Sequence, residues 1–199
     1  MIPKLHISKG SFKLDKIDNI STNTKTNNYC ITQHKNKNSI CFKCYSFKGL
    51  DFRKNMIPLL QNNSDLLSEN IIDINFLPTI YNIYFRFNSH GELINEIHLI
   101  NLINIVNKNK HCNFALWSKR NDIIKKYFDK NIKPKNLILI YSNEIIGSIA
   151  KLPKYFDKTF NNITKDKIND FNINCFEKCI DCLKCYTHNN IKTIIEKVK

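Results

Sequence analysis

The chain has 199 residues and a formal net charge of +14, with 42% hydrophobic and 24% charged residues. That is enough for one domain with a core of its own, and too mixed for a disordered or collagen-like chain. No run approaches the roughly 18 apolar residues of a membrane span, and Met1-Ile2-Pro3-Lys4 lacks the apolar core of a signal peptide, so the expected address is cytoplasmic, where thiols stay reduced.

In chain order, residues 1–28 are polar and aperiodic and read as a loop or adherent arm. A short strand is expected over 29–32. Residues 45–75 carry a helical pattern in two pieces, with a break expected around Pro58 and Asn62-Asn63-Ser64. The β-branched and aromatic run 80–87 predicts a strand, 89–92 a turn, and 93–107 a helix. A second strand comes next over 113–117, with Ser118 opening a helix that runs through Phe128. Residues 137–141 are the clearest buried strand, and a short one is expected near 154–160. Strands alternating with helices imply βαβ units and a parallel sheet. The expected fold is therefore α/β: a small parallel sheet of four to six strands with flanking helices, an open or partial barrel, too few strands for a closed one. The single domain divides into the arm, an α/β core over 29–165, and a cysteine-rich segment over 170–188.

Seven of the eight cysteines fall into two groups, Cys30, Cys41 and Cys44 (C-x10-C-x2-C) and Cys175, Cys179, Cys182 and Cys185 (C-x3-C-x2-C-x2-C). In a reducing compartment such spacings point to metal rather than disulfides. The second group has enough thiolates for a whole iron–sulfur cluster. The first offers three, leaving one iron of a 4Fe-4S cube open to a substrate or cofactor. The rival is zinc, with Cys41-x2-Cys44 and Cys182-x2-Cys185 forming one tetrahedral site. Cys112 stands alone and reads as core. His90 and His188 are the histidines nearest to such a role.

In a parallel sheet, ligands bind beyond the carboxyl ends of the strands. Three polar turns are expected there: Asn88-Ser89-His90-Gly91-Glu92, Ser118-Lys119-Arg120 and Ser142-Asn143-Glu144. Ser89 and Glu92 have capping-box spacing, so Ser89 as N-cap with Glu92 reaching back is the plainer reading of that turn. With Ser118 as N-cap, Lys119 and Arg120 fall in a first helical turn, where the macrodipole disfavours cations unless an anion docks. Arg86, in a strand among Tyr84, Phe85 and Phe87, needs an anionic partner, either Glu92 or a ligand. The net charge suggests an anionic small molecule or nucleic acid as partner, although the lysines are scattered rather than clustered.

These pieces come in a telling order. Gly10 to Leu14 reads Gly-Ser-Phe-Lys-Leu, and the first cysteines end in Cys44-Tyr45-Ser46. Arg86 and the Ser89-His90-Gly91-Glu92 turn come next, then Trp117-Ser118-Lys119-Arg120 and the C-terminal cysteines. In this order the chain resembles the phage "gene product 88" family over about residues 9–188. The corresponding family pieces read Cys-Tyr-Ala, Arg then Ser-Gly-Asp, and Tyr-Thr-Arg-Ser. Here His90 enters the turn, Glu92 stands for Asp, Ser46 for Ala, and no proline succeeds Cys30. The resemblance implies a phage or mobile-element origin, hence a host-cytoplasm address, and a distant likeness to radical S-adenosylmethionine proteins. It implies no established reaction.

The expectation is a radical-S-adenosylmethionine-like iron–sulfur protein. Cys30, Cys41 and Cys44 would hold an open-site cluster, and Cys175, Cys179, Cys182 and Cys185 an auxiliary one. Glu92 and Arg86 would orient the cofactor, Ser89 and Gly91 would shape its turn, and Ser118, Lys119 and Arg120 would receive an anionic group. The alternative is a zinc-stabilised basic nucleic-acid-binding module without catalysis.

Overall fold

In a computed structural model, residues 4–198 are described. Residues 1–3 of the expected arm lie outside them. Six strands form one sheet in sequential order, every neighbouring pair parallel. They are β1 (Asp18–Ile20), β2 (Tyr84–Phe87), β3 (Asn113–Ser118), β4 (Leu137–Ser142), β5 (Lys158–Ile163) and β6 (Thr193–Lys197). The helices are α1 (Asn28–Lys35), α2 (Tyr45–Phe52), α3 (Met56–Glu69), α4 (Glu96–Lys108), α5 (Asn121–Phe128) and the single turn α6 (Cys179–Cys182). β1 and β6 stand at opposite ends of the order, so the sheet is open and not a closed barrel.

Period-two alternation divides the sheet into two faces. Phe85, Phe87, Phe114, Leu116, Leu137 and Leu139 point to one, against Leu67 of α3, Leu99, Leu102 and Val106 of α4, and Ile123, Ile124 and Phe128 of α5. Sequential crossovers of one hand put the helices on this side. Each large side chain fully buried there stabilises the fold by about 1.5–3 kcal/mol. The opposite face carries Ala115, Trp117, Ile138 and Ile140, and none of the helices α1 to α5 contributes to its core. Instead Cys175, Cys179, Ile180, Leu183, Cys185 and Tyr186 do, from the segment between β5 and β6.

Several expectations change. The arm contains β1, an edge strand of Asp18, Asn19 and Ile20 that polar composition concealed. Its buried polar groups are satisfied: Lys9 Nζ reaches Asp18 Oδ2 at 2.7 Å, and Ser8 and Asn19 exchange backbone hydrogen bonds of 2.9 Å. Residues 29–32 are helical, because Asn27 caps α1 by accepting from Tyr29 N at 3.0 Å. The helical break falls at residues 53–55. Pro58 sits in the first turn of α3, where a missing N–H loses nothing. Asn63 and Ser64 continue that helix and serve the arm: Asn63 Nδ2 donates to Ser21 O at 2.9 Å, and Ser64 Oγ accepts from Asn23 N at 2.9 Å. The strand expected at 80–87 is confined to Tyr84–Phe87, and the one expected at 154–160 begins at Lys158. The strand β6 is unexpected. It places the second cysteine group inside the α/β fold rather than on a tail.

Candidate metal and cofactor site

The carboxyl edge of the sheet gathers the segments that leave β1, β2, β3 and β4. After β1 the chain stays buried from Ser21 to Thr24, then α1 presents Cys30. Cys41 lies in a 3-10 turn (Ile40–Lys43) whose cap, Ser39 Oγ, accepts from Cys41 N at 3.2 Å, and Cys44 caps α2. All three thiols are half-buried. The segment is tied to the end of β4, since Ile40 N donates to Glu144 O at 2.8 Å and Tyr29 Oη donates to the Glu144 carboxylate. His34, whose place in the sequence suggests no role, holds Cys41 from behind: its Nδ1 lies 2.9 Å from Cys41 O and its ring stacks on Phe47 at 3.9 Å.

The turn after β2 enters this group as expected, by different bonds. Gly91 has φ +79°, and a Cβ there would lie 2.1 Å from Thr22 Oγ1 and 2.7 Å from Thr22 O, so only glycine lets the turn close on the chain after β1. No capping box forms. Asn95 caps α4, accepting from His98 N at 2.9 Å, while Ser89 Oγ donates to Asn19 Oδ1 at 2.6 Å and meets Ser21 Oγ at 2.8 Å. Buried Glu92 binds Leu93 N (2.8 Å) and Ser118 Oγ (2.7 Å) through Oε1, and Lys119 N (2.8 Å) through Oε2. It clamps the β2 turn to the end of β3. Burial pushes its pKa up against the pull of Lys119 and these hydrogen bonds. One lone pair on Oε2 is left for a further donor.

Lys119 and Arg120 part company. Lys119 Nζ donates to Ser142 Oγ at 2.9 Å. Burial works against its charge, yet Cys41, Glu92, Cys44 and Cys30 outweigh it and hold its pKa above the ordinary lysine value. It is the cation of the first cysteine group. Arg120 caps α5 from outside and turns to Asp122, Nη2 to Oδ2 at 2.7 Å, with Nη1 on Leu93 O at 3.1 Å. Asp122 occupies the first turn of α5, so the expected cost to the macrodipole does not arise and no anion is called for. Ser118 is not the cap of that helix; its Oγ joins Glu92 to Arg120 N.

The second group lies on the open face of the sheet. Cys185 is buried and Cys175, Cys179 and Cys182 are half-buried. Burial raises the pKa of Cys179 to about 11 and pushes Cys185 higher still, while Arg86 opposes both. Lys13 Nζ approaches Cys175 Sγ at 3.2 Å across 162 residues of sequence. The one trace of that contact in the sequence is the 10–14 segment. Cys175 also lines an open cavity of about 710 Å³ shared with Phe12, Lys13, Phe176 and Lys178. Arg86 does not pair with Glu92: its guanidinium stacks on Trp117, 3.9 Å from the ring centre. Cys112 is core, as expected. His188 bonds Lys135 O at 2.8 Å and His90 bonds Ser46 Oγ at 2.8 Å, so both rings have protein partners.

Cys41 and Cys44 lie near enough to Cys30 to help raise its pKa, and Cys175, Cys179 and Cys182 do the same to Cys185. The pairs expected to share one zinc, Cys41 with Cys44 and Cys182 with Cys185, thus stand in different groups. Among the described residues, no three His, Cys, Asp or Glu side chains converge closely enough to chelate one metal ion. A zinc centre needs its sulfurs about 2.3 Å from one atom. An iron–sulfur cluster spreads its thiolates over separate irons and suits a looser ring. In number and kind rather than in geometry, three and four thiols with cations beside them are donors that such clusters take.

No protein-family model, no curated protein and no solved structure matches this chain.

Proposed function

We propose that the chain is an iron–sulfur protein of radical-S-adenosylmethionine type, similar to the phage "gene product 88" family, with an open-site 4Fe-4S cluster on Cys30, Cys41 and Cys44. The observation that carries this is the meeting of those three thiols with Glu92 and Lys119 at the carboxyl edge of a sequential parallel sheet. Three thiolates leave one iron for an exogenous ligand. Bound there, the cluster would supply one electron for reductive cleavage of S-adenosylmethionine. Lys119 would offset the negative charge of the three thiolates. Glu92, with three acceptor positions filled, keeps one for an ammonium group, and the Gly91 turn brings its backbone to the same edge. Ser89 is committed to Asn19 and Ser21 and supports the turn rather than a ligand. Cys175, Cys179, Cys182 and Cys185 would hold an auxiliary cluster.

The test is anaerobic purification with a visible spectrum, elemental analysis and a cofactor-cleavage assay under reductant. Expected are a brown protein, iron matched by sulfide, and cleavage that disappears in Cys41→Ala/Cys44→Ala together with part of the iron. A colourless protein with about one zinc per chain, or iron and cleavage unchanged in that variant, overturns the reading.

A further inference from the structure

Arg86 projects from β2 onto the face covered by the second cysteine group. Its Nε is buried without a hydrogen-bond partner, and no carboxylate pairs with it among the described residues. The groups around it are Tyr186, Tyr45, Cys179 and Cys185. Tyr186 is fully buried, and its hydroxyl faces Arg86 without a hydrogen bond of normal geometry. Stacking on Trp117 fills the space beside the guanidinium and fixes its plane.

Two more cations approach the same thiols. Lys158 is 2% exposed, donates only to Asn189 Oδ1 (2.6 Å) and Ile191 O (2.8 Å), and has Cys185 within electrostatic reach. Lys13 contacts Cys175 but shares itself with Glu196 at 2.5 Å. Three basic side chains thus face four thiols, Lys158 with its charge disfavoured by burial, and among the described residues Glu196 is the single carboxylate paired with them. With neutral thiols, the half-buried guanidinium has no counter-charge and its buried Nε no partner, an arrangement that burial penalises.

We propose that the quartet Cys175, Cys179, Cys182 and Cys185 forms an anionic metal–thiolate centre, and that Arg86 is its principal counter-ion and sets its reduction potential. This rests on the reading that the chain binds iron–sulfur clusters. Reduction adds a negative charge to the centre, so a fixed cation in a low-dielectric surrounding stabilises the reduced form and raises the potential. Arg86 ranks above Lys13, which Glu196 half-neutralises beside an open cavity, and above Lys158, whose thiol neighbour is Cys185 alone.

The experiment is an EPR-monitored redox titration with dithionite of wild type, Arg86→Gln, Arg86→Lys and the surface control Lys125→Gln. The quartet's signal is identified in Cys41→Ala/Cys44→Ala protein. Arg86→Gln is expected to shift that midpoint negative by about tenfold in the reduced-to-oxidised ratio, or about 59 mV for one electron. Arg86→Lys should shift less, and Lys125→Gln not at all. An Arg86→Gln protein that keeps its iron and sulfide with an unmoved midpoint overturns the inference while leaving the cluster reading intact. Should that variant fail to fold, Arg86→Met, which keeps an unbranched side chain against Trp117 without the charge, is read in its place; a midpoint shifted negative is expected, and an unmoved one overturns the inference. An iron-free wild type overturns the underlying reading instead.

Discussion

The two cysteine groups solve different electrostatic problems. The first hangs over the carboxyl edge on short helical pieces, half-buried, with Lys119 and Glu92 of opposite charge beside it. The second is pressed against the sheet, with Arg86, Lys158 and Lys13 around four thiols. The first stands half-exposed at the edge of the sheet; the second is built into the core on the face opposite α3, α4 and α5. The same element, a thiol with a burial-raised pKa, serves an edge in one case and an interior in the other.

Substitutions should separate them by size of effect. Cys179→Ala/Cys185→Ala should cost about 3–5 kcal/mol of stability, because Arg86 loses its counter-ion inside the fold, and thermal unfolding of anaerobically prepared protein measures it. Cys41→Ala/Cys44→Ala should cost much less in the same assay; equal losses would erase the contrast between edge and interior. Glu92→Ala, which orphans Leu93 N, Lys119 N and Ser118 Oγ, should cost about 3 kcal/mol, with the loss read by denaturant titration. Glu92→Gln should keep more of that stability yet abolish cofactor cleavage. Gly91→Ala forces a Cβ into Thr22 at positive φ and should cost about 1–3 kcal/mol, a loss confined to the edge, so the quartet's spectrum should be unchanged.

The smallest effect at neutral pH is a titration. Burial, with Arg86 and Arg53, lowers the pKa of His90 from 6.5 to about 4. Between those values the unfolded chain binds the proton and the folded one does not, so stability is complete above pH 6.5 and is lost as pH falls toward 4. The slope is at most about 1.4 kcal/mol per pH unit. Stability curves of wild type and His90→Gln at pH 4.5 and 7.5 should diverge only at the lower pH. His98 on α4, lowered to about 3 by burial, adds a component of the same sign that His90→Gln leaves in place.

Much of this was legible in one dimension. The strands at 113–117 and 137–141 announced themselves because both faces of a central parallel strand are buried, so their side chains are almost all apolar. The thiols announced themselves by spacing. Edge strands did not: β1 is Asp-Asn-Ile, held by Lys9, Ser8 and Asn63, partners that polar composition cannot reveal. The roles within the site were also hidden. Ser89 and Glu92 at capping spacing, and Lys119 and Arg120 after a serine, are each compatible with two local structures, and contacts distant in sequence chose between them.

By itself, then, the sequence determined the α/β alternation, the parallel sheet and the seven thiols in two sets, because periodicity and ligand spacing are local. Only the tertiary structure decided that the second set lies inside the sheet order, that Lys119 belongs to the first set, and that Arg86, Lys158 and Lys13 belong to the second. Those are matters of which charges share a low-dielectric volume, and residues as far apart as Lys13 and Cys175 meet there only once the sheet has formed.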